Sequence, residues 1–353
     1  MKKLALFLLF FAMNFLHEVF AQSKVEWVKL PDLPDLKGRA GMFAGVSHHA
    51  LIAIGGANFP EKMPWEGGKK RWYSDIFVLE KGGTPKRLPT QLAVACGYGA
   101  SVSYQNQLLL FGGSNQDGHL TQSEALEWNG TDVVRKSLPA LPYPLAQMGG
   151  LVLNDMVILI GGNQTSTAAP LKTCLVLDLQ DIAAGWKEIL FPGEARIFPM
   201  CGKDQQYGYV FSGETSGLNR LGHKYRAILT DAYRFELRRE KGQPVARWES
   251  LAPMPRGASA GGATVPLLKD GRFFFWGGVD GMTGAWRTPP KHPGIIKSLM
   301  VYHPTDDTWE YVGEQKEWPS RVTLPVVEWE GVWVYVSGEI LPGVRTPSLM
   351  GVR

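Results

Sequence analysis

Six apolar runs recur along the chain, each ending in Gly-Gly or Ser-Gly: "ALIAIGG" to Gly56, "QLLLFGG" to Gly113, "MVILIGG" to Gly162, "GYVFSG" to Gly213, "RFFFWGG" to Gly278 and "VWVYVSG" to Gly338. Upstream of most lies a second strand-like stretch opened by small residues, as in "GMFAGVSH", "GYGASVSY", "QMGGLVL" and "SAGGATV". Downstream come a polar loop and a third strand, such as "SDIFVLE", "SEALEWN", "TCLVLDL", "TDAYRFE" and "KSLMVYH". A tryptophan follows in several copies, at Trp186, Trp248 and Trp309. With so many glycines breaking them, these apolar, β-rich runs predict many short strands with many reversals rather than helices.

Four short strands with a glycine pair and a tryptophan, repeating at about 50 residues, is the period of a kelch propeller. A single four-stranded blade buries too little surface alone, so neighbours must stack around an axis. Six copies predict an all-β, six-bladed kelch-type β-propeller over residues 22–353. The last copy, ending in "PSLMGVR", supplies a third strand but no fourth. The segment "KVEWVKLPDLP" looks like a lone fourth strand carrying Trp27. Pairing the two would close the ring inside one blade and leave no raw edge.

Composition supports this picture. The 353 residues include 41 Gly, 24 Pro and 12 Trp, with charged residues at 20%. Such glycine and proline content punctuates turns and disfavours long helices. The net charge of +4 comes without a basic block, so no nucleic-acid partner is expected. Residues 1–21, with Lys2 and Lys3 ahead of an apolar run and Val19-Phe20-Ala21, read as a cleaved signal peptide. The expectation is a periplasmic or secreted protein with no membrane association after cleavage. Cys96, Cys174 and Cys201 are far apart and odd in number, which predicts buried free thiols. The histidines scatter over different repeats, so neither a metal nor another cofactor is expected.

Two stretches repeat one frame, Gly-Glu followed five residues on by Arg: "GEILPGVRT" at 338–346 and "GETSGLNR" at 213–220. Loops that follow the glycine pairs meet near one mouth of the central channel. Glu339 and Arg345 on one such loop, and Glu214 and Arg220 on another, are therefore candidate site residues. "GGANFPEKMPWEGGKKRWYSD" is a long excursion offering Asn58, Lys70 and Arg71 for an acidic ligand. "VDGMTGAWRTPPKHPGII" offers Trp286 and Arg287 on equal terms.

"GEILPGVRT" resembles the Gly-Glu-x-x-Pro-Gly-x-Arg-Thr loop of the bacterial sialic acid mutarotases, the N-acetylneuraminate epimerases of kelch type. "AGMFAGVSHHALIAIGGANFP" with "GGKKRWYSDIFV" resembles the blade following that loop, and "GYGASVSYQNQLLLFGGSNQDG" resembles their last blade. The loop here ends the chain and its following blade begins it, so the sequence is similar to a cyclically permuted branch of the family. The resemblance implies interconversion of the α and β anomers of N-acetylneuraminate by acid/base ring opening and closure. Glu339 is carried over as the general base and Arg345 as the clamp on the sugar carboxylate. Arginine is a poor proton donor, which leaves the acid open among Glu214, Tyr73, His223 or a water. The alternatives are a non-catalytic kelch module binding a glycan or a protein, or a mutarotase for another sugar acid.

Overall fold

The computed structural model describes residues 25–286 and 291–353. They form a nearly all-β ring of six sheets. The first blade runs through strands Phe43–Ser47, Ala50–Ile54, Asp75–Leu79 and Lys86–Gln91, each antiparallel to the next. The second, third and fourth blades repeat that order.

The sixth blade confirms the expected clasp. Its inner strands are Val326–Trp329 and Val332–Val336, its third is Leu349–Val352, and its fourth is Trp27–Lys29 from the other end of the chain. Trp27 pairs with Val352, and Glu26 and Arg353 exchange backbone hydrogen bonds of 3.0 and 3.1 Å. The Trp27 ring packs 4.8 Å from that of Trp276, which ties the clasp to the fifth blade.

Why the strands read as unbroken apolar runs is clear from the core. Along Ala50–Ile54, Ile52 and Ile54 pack against the second blade while Leu51 and Ala53 pack against the sixth. Successive side chains point to opposite faces of a strand, and both faces here meet a neighbouring blade. Six buried clusters result, one at each blade interface.

The fifth blade departs from expectation. Its sheet has three strands, Phe273–Phe275, Ser298–His303 and Thr308–Glu314. The segment "SAGGATV" is not a strand of that sheet. Gly261, Gly262 and Pro266 weaken it for ladder pairing. It instead forms isolated parallel bridges sideways, Thr264 to Cys201 and Gly262 to Leu324.

At one end of the channel lies a closed ring of backbone hydrogen bonds. Gly41, Tyr98, Gln147, Phe198, Ala260 and Thr323, one per blade, each donate their N–H to the carbonyl of the residue before in that cycle. The six bonds measure 2.7–3.2 Å. All six residues have φ between 51° and 64°, the left-handed region that turns successive carbonyls around the axis. Gly41 could not carry a side chain here, because a Cβ would lie 2.7 Å from the Tyr98 ring.

Candidate functional site

The residue after each glycine pair bridges the residue preceding a ring member, so all six second-to-third-strand loops leave from the ringed mouth. The six equivalent positions are Ala57, Ser114, Asn163, Glu214, Val279 and Glu339. Glu339 and Glu214 thus stand at the same face, separated by the one intervening blade.

Both glutamates open β-hairpins. Glu339–Leu341 pairs with Val344–Arg345, and Glu339 lies directly opposite Arg345 in the register. The six-residue separation in sequence is therefore a cross-strand pair. Arg345 Nη2 sits 2.7 Å from Glu339 Oε2, and the Gly343 N–H donates to Glu339 Oε1 at 3.2 Å. Arg345 is nearly enclosed, with 4% of its side chain exposed, and its guanidinium lies 4.9 Å from the Phe59 ring centre. Among the described residues, its Nε and Nη1 are buried and meet no hydrogen-bond partner. Buried donors of a charged group cost free energy unless an acceptor arrives. Arg345 also lines a pocket of about 250 Å³ together with Lys37, Asn58, Phe59 and Met63 among others.

Burial pushes the Glu339 carboxyl above the usual carboxylate range, although 18% of its side chain still touches solvent. Arg345 opposes that rise most, followed by the Gly343 N–H, Lys70 and His292. A carboxyl whose proton affinity is raised in this way is better suited to accept and return a proton than an ordinary exposed one.

The second hairpin differs. Glu214–Leu218 pairs with Lys224–Ile228, and the arginine that meets Glu214 is Arg226, not Arg220. Arg226 donates from Nε at 3.0 Å and Nη2 at 2.5 Å to the two carboxylate oxygens, and from Nη1 to the Gly284 carbonyl at 2.8 Å. Every guanidinium nitrogen is engaged, so this pair ties the hairpin to the helix Gly281–Gly284. Arg220 stands exposed at the hairpin turn.

The remaining sequence candidates separate into two groups. Lys70 comes to the mouth: its Nζ lies 3.4 Å from the Tyr98 hydroxyl and 5.6 Å from the Trp72 ring centre. Asn58 is spent structurally, donating to the Gly38 carbonyl at 2.9 Å and accepting from the Tyr73 hydroxyl at 2.8 Å. Tyr73 also carries the Arg39 guanidinium on its ring at 3.9 Å. Arg71 is exposed, 5.3 Å from the same ring. Trp286 lies on the rim, its ring 6.3 Å from His292. Arg287, like the segment 1–21, lies outside the described residues. His223 sits exposed near the hairpin turn, its N–H donating to Asn219.

The loop between Asn58 and Arg71 is folded over the first hairpin. Pro64–Glu66 forms one helical turn, and a Cβ on Gly343 would lie 2.9 Å from Pro64 and 3.2 Å from Trp65. Tyr98, in the mouth ring, was not singled out by sequence. A left-handed tyrosine among other turn residues gives no compositional signal.

Residues 13–135 match the family model described as N-acetylneuraminate epimerase. The chain resembles the N-acetylneuraminate epimerases. It is 36% identical over 126 residues to the one from Haemophilus influenzae (strain PittEE), covering 31% of this chain and 33% of the relative. It is 32% identical over 126 residues to the one from Yersinia enterocolitica serotype O:8, covering 31% of each. The chain thus spans about a third of the length of the curated relatives it matches. The matched segment contains Asn58, Lys70, Arg71 and Tyr98, and ends before either Glu–Arg hairpin. The solved structure described as "Structure of YjhT" superposes with a TM-score of 0.66 at 13% identity, over 92% of this chain and 99% of that one. That likeness is one of fold.

Proposed function

We propose that this protein is an isomerase that interconverts the α and β anomers of N-acetylneuraminate or a closely related sugar acid. The observation that carries the reading is Arg345, a nearly buried guanidinium whose Nε and Nη1 meet no acceptor among the described residues, beside a carboxyl whose proton affinity is raised. A planar guanidinium grips a carboxylate through two parallel N–H bonds. The sugar's carboxylate on the anomeric carbon would thereby bring the anomeric hydroxyl to Glu339. Glu339 takes that proton, the ring opens to the keto acid, and closure on the opposite face returns it. The names of the relatives matched over 13–135 support the substrate class. We further propose that residues 1–21 direct export.

Freshly released α-N-acetylneuraminate followed by its anomeric NMR signals tests the reading. Equilibration should be accelerated over buffer, and Glu339→Gln should remove the acceleration while the sugar still binds. Binding with no acceleration by the unaltered protein would favour a non-catalytic glycan-binding module.

A further inference from the structure

Ring opening needs a proton for the ring oxygen as well as a base for the anomeric hydroxyl, and the donors suggested by sequence are otherwise placed. Glu214 is locked in a two-oxygen pair with Arg226, Tyr73 gives its hydroxyl proton to Asn58, and His223 is out at an exposed hairpin turn. Resting on the proposed reaction, we infer that the Tyr98 hydroxyl is the proton donor to the ring oxygen, with Lys70 as its positioning residue.

Three observations carry this. Tyr98 is a member of the backbone ring at the mouth from which the Glu339 hairpin leaves, and it lines the channel cavity beneath. Its ring is seated against the bare backbone of Gly41, which fixes its direction. Its hydroxyl is 3.4 Å from Lys70 Nζ, whose charge lies 4.8 Å from the Tyr98 ring centre and is among those that oppose the rise of the Glu339 carboxyl.

The step balances without a co-reactant. Glu339 takes the anomeric hydroxyl proton, and that O–H electron pair becomes the new carbonyl bond. The bond from the anomeric carbon to the ring oxygen breaks, its electrons go to that oxygen, and the oxygen takes the proton of Tyr98. The phenolate left behind faces the Lys70 ammonium, an opposite charge that stabilises it. After the keto acid turns, the hydroxyl adds to the other face, its proton returns to Tyr98, and Glu339 gives back the first.

Tyr98→Phe tests the assignment, because Phe198 already occupies the equivalent ring position in the fourth blade with φ 51°. A thermal melt checks that the variant folds. Loss of about a hundredfold in catalysed anomer exchange is expected, with the dissociation constant for N-acetylneuraminate little changed. Tyr98→Phe exchanging at the unaltered rate, or losing binding in proportion to rate, would overturn the assignment. Either result with Glu339→Gln inactive would sink Tyr98 alone. No acceleration by the unaltered protein would take the isomerase reading with it.

Discussion

Arg345 gives one nitrogen to Glu339 at 2.7 Å and keeps two others buried with no acceptor among the described residues. Glu214, at the equivalent position two blades back, meets an arginine whose three nitrogens are each already engaged by protein acceptors. The two pairs share an origin in the repeat and differ in what they leave over. One is a closed tether and the other, on the proposed reading, receives an anion, and that difference sets the following expectations.

Arg345→Lys keeps the charge and loses the planar fork. Hydrogen bonds to a charged partner contribute about 1.5–3 kcal/mol, so affinity for N-acetylneuraminate should fall roughly 10- to 100-fold. Isothermal titration checks this, and unchanged affinity would place the carboxylate elsewhere.

The acid limb of catalysed exchange should lie above the ordinary glutamate value of 4.5, because burial raises the Glu339 carboxyl. A raised acid is protonated at higher pH, so the base is lost earlier as pH falls. Rates corrected for the uncatalysed reaction at each pH measure it. A limb at or below 4.5 would separate Glu339 from the base role.

Arg220→Ala should change stability by no more than about 0.5 kcal/mol, as expected of an exposed residue. Arg226→Ala releases a hairpin tether. Because about half of the Arg226 side chain is exposed, solvent screening limits the cost to roughly 1 kcal/mol. Paired denaturation curves should rank them in that order, and the reverse ranking would contradict the assignment of the tether.

Three buried arginines, Arg39, Arg196 and Arg321, occupy the position two residues before the mouth ring. Arg39 and Arg196 meet Asp75 and Asp231, whereas Arg321 has Ser348 at the matching place and is lowered to about 10 by burial. Ser348→Asp should therefore stabilise the fold by about 1–3 kcal/mol at neutral pH. The new carboxyl would be depressed beside the cation, so the gain is present above the ordinary aspartate range and lost as pH falls through the folded value. Urea midpoints at pH 7 and pH 3 test both parts.

The number of blades and the clasp were legible because glycine pairs and apolar runs are local, repeated signals. The partner of Glu214 was not. A residue opposite in a hairpin depends on the length of its turn, so the same glutamate finds its arginine six residues on at 345 but twelve on at 226. The inner strand of the fifth blade was misread because "SAGGATV" carries the pattern of the other blades while its glycines and following proline favour sideways bridges. Tyr98 escaped notice since its placement comes from a ring spanning six blades, which no short stretch of sequence encodes.

The clasp at Trp27 and Val352 has a consequence for how the protein comes to work. Lys70 and Tyr98 belong to the first two blades and Glu339 and Arg345 to the sixth, and the packing of the first blade on the sixth, in the ring that the clasp closes, lets the Lys70 charge act on Glu339. A partly synthesised or clipped molecule would hold either half of the chemistry and never both. The proposed turnover should switch on in one step, when strand Trp27–Lys29 docks on Leu349–Val352 and closes the ring.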